Sequence, residues 1–199
     1  MYEVNELIGI NIDRLNNLEA VFYFYNFAIC NLKFKILMDY IVPTGTRIGH
    51  VHLKVSDIDK ALSFYQGLLG FQITQRYGSQ AVFISADGYH HHIGLNTWYS
   101  KSAAPAPAHA PGLFHTAILY ATRKDLAVIL QSLIDASYPI TGASDHGVSE
   151  AIYLDDPDGN GVELYWDKPK EQWPIDKDGN LHMVTEHLDI PGLLAEAGK

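Results

Sequence analysis

The sequence contains an internal duplication, and this constrains the fold more than any other feature. When the chain is slid along itself by 65 residues, His50 falls on His115 and Leu53 on Ile118. In each copy a branched, alternating strand segment precedes a helix with a capping signal, and short strand segments follow. Self-similarity at a fixed spacing means that one structural unit occurs twice. The repeat therefore predicts an α+β protein built from two pseudo-symmetric strand-helix-strands units.

The predicted elements run in the same order in both copies. In the first copy, Ser56 and Asp59 form a predicted capping box and Gly70 stops the helix; in the second, Thr122 and Asp125 form the box and the helix ends before Pro139. Residues 101–112 are rich in proline and alanine and are predicted to be a linker. Strands are expected at residues 48–55, 71–75, 81–85, 92–98, 113–120, 148–154 and 162–166.

Composition narrows the classes of function. The 199 residues carry 23 Asp and Glu against 14 Lys and Arg, for a formal net charge of -9, and the basic residues form no run. Nucleic-acid recognition needs a basic surface that displaces counterions, so we expect no nucleic-acid partner and a small-molecule ligand instead. The single cysteine, Cys30, excludes an intramolecular disulfide and fits a cytoplasmic location. Any bound metal must therefore use histidine and carboxylate ligands.

The chain divides into three predicted regions. Residues 1–44 are expected to be a peripheral N-terminal extension, residues 45–167 the duplicated domain and residues 168–199 a C-terminal tail. The apolar run at residues 20–30 is much shorter than the roughly 20 residues that cross a bilayer. Acidic residues precede this run where a signal peptide carries positive charge. We therefore expect no membrane partner.

A metal site follows from the repeat. His50 and His115 occupy equivalent places on the first strands of the two units, so both imidazoles are expected to face one cleft. Glu163 on the last strand can join them, and two histidines with one carboxylate are typical of non-haem Fe(II). Gly94 falls opposite Glu163 in the repeat, so a fourth protein ligand is missing and positions stay open for catalysis. His52 shares a face with His50, but His50 is the repeat mate of His115.

Three further side chains have a functional and a structural interpretation. His92 enters the last strand of the first unit, either as an acid/base group near the metal or as a surface residue. His146 precedes the hairpin, where it contacts substrate or belongs to an ordinary turn. Tyr153 is expected to lie across the hairpin from Glu163, where its phenol donates a hydrogen bond to a bound oxygen or packs as an aromatic residue.

Four segments together resemble the vicinal oxygen chelate superfamily, which includes glyoxalase I, bleomycin-resistance proteins and extradiol dioxygenases. The resemblance implies paired βαβββ modules, at residues 47–98 and 112–167, that form a cupped mixed sheet around a divalent metal. Within the superfamily the sequence is most similar to the catechol 2,3-dioxygenase-like branch. The segments are residues 48–71, 89–98, 113–120 and 145–166.

This resemblance assigns roles to the candidate residues. It makes His50, His115 and Glu163 the metal ligands. Fe(II) is the expected ion, and Mn(II) accepts the same ligands. His92 corresponds to the acid/base histidine, Tyr153 to the tyrosine near the substrate oxygen, and His146 lies near another histidine on the substrate side.

The implied activity is metal-dependent extradiol cleavage of a catechol-like aromatic diol by O2. Two alternatives stay open on the same scaffold: a glyoxalase-like isomerase or lyase, and a bleomycin-resistance-like protein that binds a small molecule. Glyoxalase I carries a glutamate ligand where this chain has Gly94. Many catechol dioxygenases contain two module pairs where this chain has one, so a homodimer also stays open.

Overall fold

The computed structural model describes residues 41–107 and 109–198. By internal contacts the chain separates into Met1–Arg47 and Ile48–Lys199, and the second unit carries both repeats. The predicted peripheral extension, apart from residues 41–44, lies outside the described residues. Within the part of the chain that is described, no helix is long and apolar enough to span a membrane.

The first module is a mixed sheet with one helix. Strand β1 runs parallel to β4, and the sheet order is β1-β4-β3-β2. Helix α1 packs its apolar side against the sheet, burying side chains such as Leu62 and Phe64. The elements are β1 (Val51–Lys54), α1 (Ile58–Tyr65), β2 (Gln72–Tyr77), β3 (Ala81–Ser85) and β4 (Ile93–Asn96).

The second module repeats this plan and adds elements at its end. Its sheet order is β5-β8-β7-β6-β9, and β5 runs parallel to β8 as β1 does to β4. The predicted α+β class with two βαβββ modules is confirmed, and the described strands form two hydrogen-bonded sheets. The elements are β5 (Thr116–Leu119), α2 (Arg123–Asp135), β6 (Gly142–Asp145), β7 (Ser149–Asp155), β8 (Gly161–Asp167), a 3-10 turn (Lys170–Gln172), β9 (Glu186–His187) and α3 (Ile190–Ala197).

Strand register confirms the repeat at residue level. In the first sheet His52 lies opposite Gly94, and in the second Ala117 lies opposite Glu163. Because His52 and Ala117 are separated by the same 65 residues as His50 and His115, Gly94 and Glu163 occupy equivalent positions. The prediction that Gly94 is the repeat mate of Glu163 is therefore confirmed.

One helix cap differs from the prediction. Asp57 is the N-cap of α1, since its carboxylate accepts a hydrogen bond from the Lys60 N–H at 2.8 Å. The predicted capping box of Ser56 with Asp59 is wrong, because the Ser56 hydroxyl bonds to Asp158 in the other module. The predicted cap of α2 is confirmed, since the Thr122 hydroxyl accepts a hydrogen bond from the Asp125 N–H at 3.1 Å.

The C-terminal segment packs on the second module. Strand β9 extends the sheet by pairing with β6, and α3 packs against α2 with Leu193 buried. Asp189 caps α3 by accepting from the Gly192 N–H at 3.0 Å. The segment thus shields one side of α2 from solvent.

The turn between β7 and β8 joins the two modules. Asp158 in this turn accepts hydrogen bonds from the Ser56 N–H at 2.7 Å and the Lys60 ammonium at 3.0 Å. Buried Asp156 accepts from the Tyr65 hydroxyl at 3.0 Å. The buried apolar residues of both modules form one continuous cluster beneath these contacts. The start and end of α1 are therefore fixed to the hairpin that carries Tyr153 and Glu163.

We expect Asp158→Asn to lower the free energy of unfolding at pH 7 by about 1–2 kcal/mol, because hydrogen bonds to a charged acceptor are lost. Burial raises the pKa of Asp158, but the hydrogen bonds from Ser56 and Lys60 outweigh burial and leave that pKa below its ordinary value. The stabilisation is thus present above the unfolded-state pKa, about 3.9, and is lost as pH falls through the lower folded-state pKa.

Urea unfolding between pH 7 and pH 3 tests this, and the difference between wild type and variant should shrink below about pH 4. The exposed neighbour Asp155 provides the control, because Asp155→Asn should change stability by less than about 0.5 kcal/mol. Equal effects of the two substitutions would contradict the role of Asp158.

Candidate active site

A carboxylate and an imidazole meet on the exposed face of the second sheet. Glu163 projects from β8 on the side opposite the buried residues Val162 and Leu164. His115 directly precedes β5, which is the parallel neighbour of β8. The His115 Nε2 atom lies 2.9 Å from Glu163 Oε2, and the side chains are 31% and 13% exposed. The fold therefore brings two of the predicted ligands into direct contact.

The second oxygen of Glu163 begins a chain of hydrogen bonds. Tyr153 is the cross-strand partner of Glu163 in the β7–β8 hairpin, as predicted, and its hydroxyl donates to Oε1 at 3.1 Å. The same hydroxyl lies 2.6 Å from His146 Nε2, and His146 Nδ1 lies 2.9 Å from the Val184 carbonyl oxygen. Tyr153 thus connects Glu163 to a loop histidine.

The number of available hydrogens determines how this chain of hydrogen bonds can carry a proton. The Val184 carbonyl and an ionised Glu163 only accept hydrogen bonds, so each of the three contacts needs a hydrogen from His146 or Tyr153. A neutral His146 and the Tyr153 hydroxyl supply two hydrogens, one fewer than the contacts require. One added proton, either on His146 Nε2 or on Glu163, completes the set. Coupled transfer of a hydrogen from His146 Nε2 to the Tyr153 oxygen, and of the Tyr153 hydrogen to Glu163, then moves that proton from one end to the other.

The loop that carries His146 is firmly held. Asp145 accepts from the Gly147 N–H at 2.8 Å and from the Lys168 ammonium at 2.7 Å. Gly147 has φ of +77°, and a Cβ there would lie 2.8 Å from the Pro174 side chain. The position thus accommodates only glycine without rearrangement. These contacts fix His146 beneath the Tyr153 hydroxyl.

His50 lies in a separate group of histidines on the first module. Its ring centroid is 4.3 Å from that of His91 and 6.2 Å from that of His90. Across residues 41–107 and 109–198, no three His, Cys, Asp or Glu side chains are placed to hold a metal ion together. His50 as the third ligand therefore stays a prediction.

The pair of His115 and Glu163 nevertheless fits a divalent ion. Two donor atoms that bind one ion at about 2.1 Å and at right angles lie about 3 Å apart, close to the observed 2.9 Å. The Nε2 atom faces the carboxylate, whereas Nδ1 is buried and has no hydrogen-bond partner among the described residues. Imidazole and carboxylate together suit Fe(II) and Mn(II).

The structure places His92 beside the cleft between β1 and β5. A cavity of about 380 Å³ lies between these strands, and its lining residues include His50, His92 and Thr116. His92 Nδ1 accepts from the Ala86 N–H at 3.3 Å and lies 3.1 Å from the Ser85 hydroxyl. His92 is thus grouped with His50 along this cleft.

The sequence favours His50 over His52 as a metal ligand, but the structure gives the His52 ring a position of its own beside Gly94. A Cβ added at Gly94 would lie 2.8 Å from the His52 ring, so this ring occupies the space of the absent side chain. Burial, followed by the charge of His50, lowers the pKa of His52 and favours its neutral form. The signal in the sequence was Gly94 itself, since a glycine beside a histidine on paired strands leaves room for the ring.

We expect Tyr153 in the metal-free protein to stay protonated well above pH 10. Burial, and then the charge and hydrogen bond of Glu163, raise the pKa of Tyr153 to about 12. Carbon-13 NMR of labelled tyrosine, with Tyr153→Phe to assign the resonance, should give a midpoint near pH 12. A midpoint near the ordinary value, about 10, would contradict the contact with Glu163.

Comparison with known proteins identifies the family of the chain. The sequence model of the glyoxalase/bleomycin resistance protein/dioxygenase superfamily matches residues 47–164. The chain is 42% identical over 158 residues to a catechol-2,3-dioxygenase of Bacillus subtilis, which covers 79% of this chain and 54% of that protein. It is 30% identical over 145 residues to the virulence protein STM3117 of Salmonella typhimurium, covering 71% and 96% respectively. It is also 30% identical over 125 residues to a biphenyl-2,3-diol 1,2-dioxygenase of Rhodococcus globerulus, and this match covers 61% of this chain and 63% of that protein.

The chain thus spans about half the length of the catechol-2,3-dioxygenase that it matches. Among solved structures, a glyoxalase/dioxygenase from Nostoc punctiforme has a TM-score of 0.54 at 16% identity, covering 66% of this chain and 98% of that one. A glyoxylase/bleomycin resistance protein/dioxygenase domain from Frankia has a TM-score of 0.51 at 18% identity, covering 63% and 94%. These likenesses concern the fold alone. The match of the family model to residues 47–164, together with the duplicated modules, shows that the chain belongs to the glyoxalase/bleomycin resistance protein/dioxygenase superfamily.

Proposed function

We propose that the protein is an extradiol-type dioxygenase that cleaves the ring of a catechol-like aromatic diol with O2. One observation carries the proposal: the Glu163 carboxylate is shared between His115 and Tyr153, and Tyr153 leads to a fourth ionisable group, His146. Two relatives are named as dioxygenases of aromatic diols, which supports the same class of reaction here.

In this proposal a divalent ion, Fe(II) first and Mn(II) second, is held by His50, His115 and Glu163. The bound ion would supply positive charge for both diol oxygens and a redox centre for O2. His50 joins the set only if its ring leaves its packing against His91 and reaches His115 and Glu163. The other two ligands are already in contact.

The surrounding residues would handle protons. A diol that binds a cation as an anion must release protons, and a positioned acid/base group accelerates their transfer. We assign this role to Tyr153 and His146, because their hydrogen-bonded chain stores one proton and passes it across the phenol. His92 is proposed as a second acid/base group, reached through the cleft that it shares with His50.

The alternative functions differ in what they need from the site. A glyoxalase-like isomerase or lyase needs a metal but no O2, and Gly94 removes the glutamate that would complete its ligand set. A bleomycin-resistance-like binding protein needs neither metal nor O2. Their distinct requirements make them alternative outcomes of the activity test below.

Protein reconstituted with Fe(II) without oxygen should convert catechol to a yellow ring-opened product once air is admitted. Tyr153→Phe should lower kcat by about 10²-fold, because it interrupts the proton path. His182→Ala, an exposed site outside the proposed machinery, provides the control and should retain wild-type kcat. Activity without air would favour the isomerase or lyase, and iron binding without product from a panel of catechols would contradict the proposal.

Metal affinity tests the ligand set apart from catalysis. Calorimetric titration with Mn(II) should give one ion per chain, with the affinity lowered by at least about 10²-fold in His50→Ala, His115→Ala and Glu163→Gln. Loss of a direct ligand should exceed the roughly 10- to 100-fold effect of removing a group that only orients one. If His50→Ala binds Mn(II) as tightly as His182→Ala does, His50 is not a ligand.

A further inference from the structure

The exposed face of β1 carries a polar row that its counterpart in the second module lacks. His50, His52 and Lys54 alternate with the buried Leu53 and therefore share the outer face of the strand. The equivalent residues in the second module are His115, which directly precedes β5, and Ala117 and Leu119 on β5. The histidine at the start of each strand is thus common to both modules. A histidine and a lysine in the first module replace an alanine and a leucine in the second.

The His52 ring takes the place in the first module that corresponds to that of Glu163 in the second. Gly94 is the equivalent of Glu163, and the His52 ring stands within 3.0 Å of where a Cβ at Gly94 would be. In the second module the reverse holds, because Ala117 is small and Glu163 projects from its neighbouring strand. The His52 ring therefore lies, in the first module, close to where the Cβ of Glu163 lies in the second.

Aromatic rings surround His52. Its ring centroid lies 5.8 Å from that of Phe83 and 5.4 Å from that of Trp98. Phe83 is the cross-strand partner of Gly94, so its side chain also belongs to this face of the sheet. Trp98 is 46% exposed, which leaves its ring accessible to a ligand. Together, His52, Phe83, Trp98 and the gap at Gly94 form a recess with aromatic walls.

This recess has hydrogen-bond donors that no acceptor among residues 41–107 and 109–198 uses. Within the described part of the chain, the His52 ring nitrogens have no hydrogen-bond partner and the Lys54 ammonium has no ion pair. The two residues are two positions apart on one strand, so their Cα atoms are about 7 Å apart. An acceptor that extends from an aromatic ring in the recess can therefore meet first the imidazole and then the ammonium.

We propose that this face of β1 is the subsite for the ring substituent of the substrate, and that it selects aromatic diols carrying a carboxylate. Phe83 and Trp98 flank the ring, His52 donates a hydrogen bond, and Lys54 supplies the charge. Because the whole chain carries a formal net charge of -9, a local cation is needed to make an anionic substituent favourable. The inference rests on the proposed function for the diol end of the ligand.

The test compares 3,4-dihydroxyphenylacetate with 4-methylcatechol, which differ in the carboxylate. Calorimetry on metal-loaded protein without oxygen should give a dissociation constant about tenfold lower for the acid. Lys54→Met should abolish this preference, and Lys54→Arg should keep it. Lys124→Met, an exposed lysine on α2, is the matched control and should keep it as well. His52→Ala should weaken binding of the acid more than that of 4-methylcatechol, and His52→Gln should restore part of the difference.

The possible results separate the subsite from the reaction. A carboxylate preference that Lys54→Met removes, in a protein that opens neither ring in air, supports the subsite and counts against the dioxygenase. Equal affinities for the two diols in wild type, or a preference that is the same in Lys54→Met and Lys124→Met, would overturn the subsite whatever the enzyme activity.

Discussion

The contact between Glu163 and its two neighbours sets the requirements of the whole site. A carboxylate that is only 13% exposed needs charge or hydrogen-bond partners, because an isolated buried charge is costly. Tyr153 on β7 and His115, which directly precedes β5, provide those partners from the two sides of β8. The order of strands in the sheet is therefore what makes a carboxylate tolerable at this position. The same partners make it useful, since they place an imidazole at one of its oxygens and a phenol at the other.

Duplication supplies two similar scaffolds that have taken different side chains. At equivalent positions the first module has His52 and Gly94, whereas the second has Ala117 and Glu163. Each module thus presents one large polar group beside one small residue. In our account the second module provides most of the metal and proton chemistry, and the first provides the third ligand and the surface that recognises the substrate. The contacts of Asp156 and Asp158 with α1 hold these two contributions in one unit.

Local patterns and the repeat made much of this predictable from the sequence. The Tyr153–Glu163 pair followed from a short hairpin, in which the turn fixes the register, and the equivalence of Gly94 with Glu163 followed from the repeat. Strand β6 was missed because its four residues, Gly142–Asp145, lack an alternating apolar pattern. The cap at Ser56 was wrong because its hydroxyl bonds to a turn about a hundred residues away, which no local pattern reveals.

The position of His50 also lies beyond local patterns. Equivalence with His115 predicts the strand and the face, but the direction of the ring depends on packing against His91 in a distant turn. A metal ion would add a favourable contact that competes with this packing. The balance between these two interactions decides whether the modules share one site.

X-ray absorption at the iron edge tests this claim most directly, because scattering within an imidazole ring counts the histidines bound to the ion. Our account predicts two imidazoles per iron in the wild type and one in His50→Ala. Two imidazoles in both proteins would exclude His50, and none in the wild type would show that His115 and Glu163 form only an ion pair.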